Sequence, residues 1–391
     1  MNRVCSIFSQ ILQLTPRLEF EAAVRKHKAE RHARGFSSWT QYTAMLFCQL
    51  GGAQTLREIT GGLAACEGKL RHLGVEEPPK RSTLSYANEH RPWELYQTVF
   101  ANLLERCHNE AAGKKRKFRF RHPLLSLDST TIPLSLSAFD WAHYKRAKGA
   151  VKLHLLLDHD GYLPSYAVLT DGKGSDMAVA REMSFAPGTL LVFDRGYCDQ
   201  DWWLKLTREK VHFITRLKDD VEYGIVAARE VPPGTDILRD EVILLTSQQE
   251  IGPQAFLRRI EVWIEEKQES LVFLSNNFQL AAATIAAVYR DRWKIELFFK
   301  ALKQSLKIKT FVGTSENAVR TQIWTALIAM LLVKYLQLRS TFAWSLSHLV
   351  ALLRQQVFVY RDLFTWLNDP YHAPPALEGV HDAQLCLEFG R

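Results

Sequence analysis

The sequence predicts an α/β protein whose core is a mixed β-sheet with helices on both faces, preceded by an all-helical region and followed by C-terminal helices. Two observations predict this architecture. Apolar runs of strand length alternate with helical periods between residues 123 and 310, whereas helical spacing dominates before and after that stretch. Short alternating segments interrupt the core at residues 219–279, which indicates a β-rich insertion.

Length and charge limit the class of protein. The chain has 391 residues, more than one ordinary core accommodates, and 47% of them are hydrophobic, which excludes global disorder. Its net charge of +8 is uneven: residues 1–122 hold 20 Lys and Arg against 11 Asp and Glu, and the remainder holds 30 against 31. A basic region favours a nucleic-acid partner, because phosphate neutralisation supplies most non-specific affinity; a solvated surface is the alternative.

Cysteines and apolar runs indicate the compartment. The six cysteines stand singly, with no C-x-x-C pair, so neither a zinc site nor a disulfide framework is predicted. The first ten residues lack the apolar stretch of a signal peptide. The longest apolar run near the C-terminus, residues 323–333, is too short to span a bilayer. We therefore expect a soluble, cytoplasmic protein.

Residues 1–113 are predicted to be helical, because apolar side chains recur every three or four positions and glycine and proline pairs punctuate the stretch. A helix from Leu56 to about residue 65, a turn, and a second helix from Ser82 to about His90 have the pattern of a helix-turn-helix. Such a pair would make this a DNA-binding region; a plain helical bundle is the alternative.

Residues 114–122 are predicted to be a basic linker. Six of the eight residues in KKRKFRFR (114–121) are cations, and two phenylalanines stand between them. Cations interleaved with aromatic side chains suit a nucleic-acid backbone and its bases. Four of these cations are therefore candidate DNA contacts: Lys114, Lys115, Arg116 and Lys117. A solvated linker is the alternative interpretation.

Residues 123–218 form the first part of the predicted core. LLSLD (124–128) is a predicted strand that ends on Asp128, and an Asp-Gly turn at residues 160–161 joins two further strands in a hairpin. TLLVFD (189–194) is a near-continuous apolar run, typical of a strand buried on both faces. A helix and another strand follow. The resulting order of strand, strand, strand, helix, strand, helix, strand is that of a ribonuclease H-like core.

Asp128 and Asp194 each end a predicted strand, and open α/β sheets bind their ligands at that edge. A single acid in such a position is usually a turn or cap residue, but two acids on strands that are expected to be neighbours favour a shared site. Carboxylate oxygens are the protein ligands that Mg²⁺ prefers. An in-line displacement at phosphorus with two metal ions also needs a third carboxylate.

Glu296 is the candidate for that third carboxylate. It lies in a helix predicted for residues 284–306. At 100° per residue, four polar or amphipathic side chains of this helix fall within an arc of about 60°: Tyr289, Arg292, Glu296 and Lys303. The apolar side of the helix is therefore predicted to pack on the protein, and the polar side is predicted to present a carboxylate that is flanked by cations. An amphipathic surface helix is the alternative, although it does not explain the tyrosine in the polar stripe.

The remaining segments complete the predicted order of domains. Residues 219–279 form the β-rich insertion, residues 280–310 return to the core with the helix that carries Glu296, and residues 311–391 form a C-terminal helical region. The chain has no internal repeat and no low-complexity tail, so neither a solenoid nor a disordered tail is predicted.

The spacing of the four polar residues on the predicted helix resembles a family signature. Their pattern, Y-(2)-R-(3)-E-(6)-K, is that of DDE transposases of the insertion-sequence-four type. DRGY (194–197) resembles the second-aspartate motif of this family, and LDSTT (127–131) resembles the first. All three motifs stand in the family's order, and the β-rich insertion falls between the second Asp and the Glu. N-terminal segments such as LREITGGL also resemble one subgroup, so the resemblance covers nearly the whole chain.

The resemblance implies an enzyme that cleaves and rejoins DNA. Its catalytic acids would be Asp128, Asp194 and Glu296, which would ligate two Mg²⁺ ions, with Mn²⁺ as a substitute. The metal ions would supply an activated hydroxyl and stabilise the leaving oxygen.

The resemblance also implies several DNA contacts. Arg292, Lys303 and Tyr289 would contact the backbone of the transposon end, and the N-terminal region would bind the terminal inverted repeats. Relatives stack an aromatic side chain of the insertion against a flipped base, for which Trp263 is the candidate here; a position in the core is the alternative. Synapsis of two ends and joining to target DNA imply a homodimer.

Two other functions stay open. A structure-specific, metal-dependent nuclease on the same core would cut DNA without joining it. A non-catalytic DNA-binding regulator would explain the basic first third of the chain, but not three ordered carboxylates. Short inverted repeats in the DNA that flanks the gene would favour the transposase.

Overall fold

The computed structural model describes the chain from residue 5 to residue 371, with short gaps that leave out residues 32, 34, 67, 121, 135–142, 146–147, 248–254, 305 and 307–309. The predictions made for residues 1–4, for Arg121 and for residues 372–391 therefore lie outside the described residues.

The region before the sheet is helical, as the apolar spacing predicts. Its α-helices are α1 (Ile7–Gln13), α2 (Arg17–Lys26), α3 (Ser38–Gly51), α4 (Leu56–Ala64), α5 (Arg81–His90) and α6 (Glu94–Ala112). Hydroxyl caps start three of them, because Ser6, Ser37 and Thr55 each accept a hydrogen bond from a backbone amide three residues further on. Residues 65–80 separate α4 from α5, which is far more than the three or four residues of a compact helix-turn-helix. The two helices do not form that compact motif.

The sheet begins with β1 (Leu124–Leu134), β2 (His143–Lys145), β3 (Lys148–Asp158), β4 (Leu163–Asp171), β5 (Leu190–Phe193) and β6 (His212–Arg216). Their order across the sheet is β4-β3-β1-β5-β6, with β2 beside the start of β3. β5 runs parallel to β1 and β6, whereas β3 is antiparallel to β1 and β4. β3 and β4 are the predicted hairpin, and β5 is buried along its whole length, as predicted.

Strand β1 is longer than the sequence predicts. It continues past Asp128 to Leu134, because residues 129–134 still pair with β3. Two threonines and an isoleucine in this stretch are β-branched and favour an extended backbone. Only the parallel pairing with β5 stops, at Leu127. Asp128 therefore lies where β1 loses one of its two neighbours, and not at the end of the strand.

The insertion is rich in strands, as predicted, but it is not a separate unit. Its strands are β7 (Tyr223–Ala228), β8 (Ile237–Leu245), β9 (Phe256–Ile264) and β10 (Glu269–Ser275), all joined by antiparallel pairing. β10 also pairs with β6, with Leu274 opposite Thr215. The insertion thus continues the core sheet, because its last strand returns to the open edge of β6.

Helices cover both faces of the sheet. The later α-helices are α7 (Asp176–Glu182), α8 (Gln200–Arg208), α9 (Ala282–Asp291), α10 (Trp293–Gln304), α11 (Glu316–Arg339), α12 (Leu346–Gln356) and α13 (Leu363–Asn368). On one face, Trp202 and Trp203 of α8 pack against Phe193 and Phe213. On the other face, α9 packs on β5, β6 and β10. Each fully buried side chain of this size contributes roughly 1.5–3 kcal/mol to the free energy of unfolding.

Helix α11 is the central helix of a core that the N-terminal and C-terminal helices share. By length and composition it could cross a membrane, but 83% of its most apolar window is buried inside the protein. Trp324 of α11 stacks on Trp93, and the Leu331 carbonyl accepts a hydrogen bond from the Cys107 thiol of α6. Its apolar character is thus accounted for by packing against the helices around it.

The single helix predicted for residues 284–306 is broken. α9 ends at Asp291, and α10 begins at Trp293. The backbone amide of Arg292, between them, lies 3.2 Å from the carbonyl oxygens of both Val288 and Tyr289, so one donor is shared by two acceptors. Asp291 and Arg292, the two residues at the break, are both buried and charged. They are held by different partners, Asp291 by the basic segment and the β3–β4 turn and Arg292 by the predicted acids. The spacing of apolar residues in the sequence gives no sign of this interruption.

Candidate active site

Asp128 and Asp194 lie side by side at one edge of the sheet. Leu127 and Phe193, which precede them, are partners in the parallel ladder between β1 and β5. Because parallel partners advance together, the following residue on each chain lies at the same level. Each carboxylate accepts a hydrogen bond from the next backbone amide, at 2.8 Å for Asp128 and 2.7 Å for Asp194. The fold therefore brings the two predicted acids together.

The environment of Asp128 links it to both other acids. Its side chain is only 20% exposed, and burial raises its pKa from 3.8 to about 6. A hydrogen bond from the Ser129 amide and the charge of Arg292 oppose this rise, while the charges of Glu296 and Asp194 add to it. All three predicted acids thus belong to one electrostatic neighbourhood.

Arg292 joins Glu296 to Asp128. Its Nη2 lies 2.8 Å from Oε1 of Glu296, one helical turn further on, and its Nη1 lies 3.6 Å from Oδ2 of Asp128. The guanidinium is nearly buried, and its Nε has no hydrogen-bond partner among the described residues. A buried guanidinium with an unused donor is suited to bind a further anion, and phosphate oxygens match its geometry.

Tyr289 does not belong to an exposed polar stripe. Its ring is buried in the core beneath α9 and packs on Phe273, with ring centroids 4.8 Å apart. The guanidinium of Arg292 lies over this ring, 5.5 Å from its centroid, so Tyr289 and Arg292 remain neighbours although the helix is interrupted at Arg292. The hydroxyl nevertheless reaches the site, since it donates to Oδ1 of Asp194 at 3.5 Å. Its predicted contact with DNA stays a prediction.

Lys303 lies near the end of α10, on the side of β1. Its Nζ donates a hydrogen bond of 2.8 Å to the carbonyl oxygen of Thr131. Thr131 is three residues beyond Asp128 on β1, which is about 10 Å along the strand. Lys303 is therefore bound to the same strand as Asp128, further from the acids than Arg292.

Tyr197 is a neighbour of the site to which the motif spacing assigns no role. It ends the DRGY segment, and its ring is buried against Phe193. Burial, then the charges of Asp176 and Asp128, raise the pKa of Tyr197 far above its usual range. Its phenol is therefore neutral at any physiological pH.

Asp291 is a second residue that the sequence analysis missed. Its side chain is 1% exposed and accepts three hydrogen bonds: from Lys117 Nζ at 2.5 Å, from the His159 ring at 2.8 Å and from the Tyr162 hydroxyl at 3.0 Å. An acid on the apolar side of the predicted helix was the available signal. Asp291 fixes the end of α9 and hence the position of Arg292.

The three acids have the donor chemistry of a magnesium site. Mg²⁺ binds carboxylate oxygens and keeps water and phosphate oxygens as its other ligands, so a set of acids at an open sheet edge fits it. Within the described part of the chain, no three His, Cys, Asp or Glu side chains form a compact metal-binding group. Instead, the guanidinium of Arg292 is the counter-ion of both Asp128 and Glu296.

The basic segment at residues 114–117 is not simply a solvated linker. Lys117 pairs with the buried Asp291, and Arg116 lies 2.6 Å from Asp160. Phe118 and Phe120 beyond it stack on each other, with centroids 5.5 Å apart, and pack against the α9 side of the sheet. Lys114 and Lys115 are exposed. The segment is thus anchored to the core, and its predicted contacts with DNA stay a prediction.

Two tryptophans are candidates for a stacking role. Trp263 lies on β9 and is half-buried, and its Nε1 donates to Oε2 of Glu265 at 2.7 Å. It is therefore neither a fully buried core residue nor a neighbour of the three acids in sequence or pairing. Trp293 is 56% exposed and stands one helical turn before Glu296. The exposure of this large ring near Glu296 could not be predicted from the periodicity of the sequence.

The chain is similar to proteins named as transposases. It is 28% identical over 312 residues to a Sinorhizobium fredii protein named as transposase y4zB, covering 79% of this chain and 84% of that one. It is also 28% identical over 257 residues to a Geobacillus stearothermophilus protein named as a transposase for insertion sequence element IS5377, covering 65% and 67%. The piggyBac transposase, solved as a synaptic complex with hairpin DNA, aligns with a TM-score of 0.43 and 9% identity over 95% of this chain and 81% of that one.

Two families match the sequence directly. A domain of unknown function (DUF4372) matches residues 4–76, the first part of the helical region. The transposase DDE domain matches residues 119–332, from the basic segment through the sheet and α10 into α11. Because this second match covers more than half of the chain and includes all three predicted acids, the protein belongs to the family of transposases with a DDE domain.

Proposed function

We propose that this transposase binds the terminal inverted repeats of its own element, cleaves DNA strands by metal-dependent hydrolysis and joins the 3′ ends to target DNA. The observation that carries the proposal is that Asp128 and Asp194 directly follow Leu127 and Phe193, the last paired residues of two neighbouring parallel strands, with Glu296 tied to Asp128 through Arg292. This arrangement offers oxygen ligands and a phosphate-binding cation at one edge of a sheet, which in-line displacement at phosphorus requires.

The strand order supports a ribonuclease H-like catalytic core. Three antiparallel strands, β4-β3-β1, are followed by β5 and β6 in parallel to β1, with helices on both faces. Along the chain, the elements differ from the predicted order by one extra short strand, β2 (His143–Lys145), before the first helix of this region. The strand order sets the two aspartates at adjacent strands, where a helix packed on the sheet can add the third acid.

Asp128, Asp194 and Glu296 would hold two Mg²⁺ ions, and Mn²⁺ would substitute. The bound ions would supply an activated hydroxyl nucleophile and stabilise the leaving oxygen. The role of Arg292 follows from its contacts: it is the ion-pair partner of both Asp128 and Glu296. Its guanidinium would then exchange these carboxylates for a phosphate of the transposon end, using the Nε that is left without a partner.

Lys303 and Tyr289 would act beside Arg292. Lys303 supplies a mobile point charge near Thr131, which suits a phosphate oxygen at varying positions along the strand. Tyr289 has its ring buried and its hydroxyl directed at Asp194, so it would orient that carboxylate. Burial raises the pKa of Tyr289 to about 12, and this keeps its phenol a hydrogen-bond donor at neutral pH.

The parts of the protein outside the sheet would recognise DNA. The basic surplus of residues 1–122 would bind the backbone of the terminal repeat, and Lys114, Lys115, Arg116 and Lys117 would contribute to it. Synapsis of two ends requires two active sites, so we propose a homodimer on DNA. Since the substrate is DNA of a bacterial type of element, the cytoplasm is the proposed compartment.

Arg292 and Lys303 are expected to respond differently to conservative substitution. Arg292→Lys keeps the charge but cannot bridge Asp128 and Glu296 with two nitrogens, so cleavage of a transposon-end duplex should fall by about 10-fold to 100-fold. Lys303→Arg should lose less than about 5-fold, because one donor suffices for the Thr131 carbonyl. If Arg292→Ala, shown to be folded, cleaves as fast as the wild type, the phosphate-binding role of Arg292 is wrong.

Cleavage and joining by the purified protein test the proposed function. The substrate is a duplex with the terminal sequence of the element, and a scrambled duplex is the control. We expect end-specific cleavage and joining in Mg²⁺ or Mn²⁺, and neither with EDTA. Cleavage without any joining would favour a structure-specific nuclease. Specific binding without cleavage in either metal would favour a DNA-binding regulator.

A further inference from the structure

A cavity of about 700 Å³ lies beside the predicted active site, on a different side of α10 from Glu296. We call it the lysine cavity. Its walls are the basic segment, the β3–β4 turn, α10, the C-terminal half of α11 and the start of α12. A volume of this size is typical of sites that hold a small organic ligand.

The lysine cavity is lined by an excess of positive charge. Its lining cations are Lys114, Lys115, Arg116, Lys117, Lys294, Lys300 and Lys334. Arg116 is paired with Asp160, which is the one acid among the lining residues, and Lys117 is paired with Asp291. For the other five cations, the described residues provide no carboxylate within ion-pair distance. Four of these five are exposed and can be solvated, so the requirement for an anion rests on Lys334, the one buried member of the five.

Lys334 is the least expected of these cations. It is 8% exposed, on an otherwise apolar stretch of α11, and its Nζ donates to Oε1 of Gln337 at 3.2 Å. Burial, and then the charge of Lys294, lower the pKa of Lys334 to about 8. The charged form of Lys334 is therefore less stable in the folded protein than in the unfolded chain. A buried cation without an acid partner destabilises the fold, which is understandable if a ligand supplies the opposite charge.

Tyr162 supplies a flat surface between the two central lysines. The ammonium groups of Lys294 and Lys334 each lie 5.6 Å from the centroid of its ring. Its backbone has a φ of 53°, a left-handed conformation that is unusual for an aromatic residue. The hydroxyl bond to Asp291 holds the ring in place. Leu297, which is 42% exposed, adds apolar surface to the lining, one helical turn from Lys294 on α10.

We propose that the lysine cavity binds a nucleotide, with its phosphate between Lys294 and Lys334 and its base against the apolar and aromatic wall formed by Tyr162 and Leu297. The nucleotide could be one residue of a DNA strand that passes over α10, or a free nucleotide. The DNA source deepens the proposed function and rests on it, whereas the free nucleotide would make the cavity a separate ligand site. Both sources present the same chemistry of phosphate and flat base.

The test uses a double variant, Lys294→Gln with Lys334→Met, in the full chain. Because Lys334→Met removes an uncompensated buried charge, we expect a melting temperature equal to or above that of the wild type. A charge-matched control, Lys205→Gln with Lys210→Gln, removes two lysines from α8 and its end, on the opposite face of the sheet. All binding measurements are made with EDTA present, so they do not depend on cleavage.

The DNA arm uses a single-stranded oligonucleotide that contains 5-iodouracil. For the double variant we expect at least about 10-fold weaker binding and a salt dependence less steep by about 0.7, which corresponds to the one phosphate contact that both lysines make. Ultraviolet crosslinking should join the wild-type peptide that contains Tyr162 to the oligonucleotide. The control variant should match the wild type in both measurements.

The free-nucleotide arm uses ATP, measured by calorimetry. ATP binding that the double variant loses, with oligonucleotide binding unchanged, would assign the cavity to a free nucleotide. If the folded double variant binds both the oligonucleotide and ATP as the wild type does, the lysine cavity is not a nucleotide site. That result would leave the proposed function intact, because cleavage of transposon ends is measured separately. If the wild-type protein binds the nucleotide in the lysine cavity but cleaves no transposon end, the proposed function is wrong and the nucleotide site stands.

Discussion

Asp194→Asn is expected to reduce cleavage of a transposon-end duplex by at least about 1,000-fold, while binding of the same duplex changes less than about 2-fold. The amide keeps the size of the side chain and can still accept a hydrogen bond from the Arg195 amide, so the turn after β5 should survive. What it loses is a charged oxygen ligand, and metal ions stabilise the transition state of such displacements by several kcal/mol. Affinity for DNA depends instead on phosphate and base contacts made elsewhere.

Asp201→Asn is a matched control for this substitution. Asp201 lies on α8, seven residues further along the chain, and is exposed, so the same chemical change should leave cleavage at the wild-type rate. The measurement is single-turnover cleavage in Mg²⁺ beside a gel-shift titration with EDTA. A folded Asp194→Asn protein that cleaves within about 10-fold of the wild type would remove Asp194 from the catalytic set. Loss of binding together with cleavage would mean that Asp194 organises the DNA-binding surface as well.

The positions of the acids could be predicted from the sequence for a simple physical reason. Asp194 follows a run of apolar residues, and such a run forms a strand buried on both faces, so the first polar residue after it must lie at the sheet edge. Asp128 was predicted by the same reasoning, although β1 continues past it. Asp128 still lies at an edge of the sheet, because its parallel neighbour β5 ends at this level. Beyond Leu127, β1 has no partner on the β5 side.

The break at Arg292 could not be predicted from spacing. A helix interrupted at one residue keeps nearly the same three-residue and four-residue offsets, so Arg292 and Glu296 still form their ion pair. Tyr289 also stays beside Arg292, whose guanidinium lies 5.5 Å from its ring centroid, while the ring packs into the core on Phe273. The cause of the break lies in long-range partners, since Asp291 is bound by residues more than 120 positions earlier in the chain. No local pattern contains that information.

The lysine cavity depends on contacts of the same kind. In the sequence, Lys334 is simply the residue that follows an apolar run. The residues around it give no indication that Tyr162 and Lys294 lie next to it in the fold. The sheet continues into the insertion because β10 pairs with β6 as well as with β9. This long-range pairing could not be predicted from the sequence, since pairing with β9 alone would have been equally consistent with it. Local propensity predicts strands and helices, whereas their pairing depends on which open edges remain when the chain returns.

Asp291→Asn is expected to lower the free energy of unfolding by roughly 3 kcal/mol. Burial alone would raise the pKa of Asp291, but hydrogen bonds from His159 and Lys117 outweigh it and lower that pKa to about 2. The ionised carboxylate therefore stabilises the folded protein at every pH above the unfolded value, near 4, and this stabilisation is lost as the pH falls towards 2. Asparagine leaves His159 and Lys117 without their charged acceptor and loosens the turn that holds Tyr162.

Chemical denaturation between pH 8 and pH 3 checks this prediction, with Asp220→Asn, an exposed acid between β6 and β7, as the control. The difference between the wild type and Asp291→Asn should stay constant from pH 8 to pH 5 and narrow only below about pH 4, because the carboxylate then begins to take up a proton. The control should differ from the wild type by less than about 0.5 kcal/mol at every pH. A difference for Asp291→Asn that is equally small, or that disappears near neutral pH, would show that the carboxylate is not what joins the basic segment, the β3–β4 turn and the end of α9.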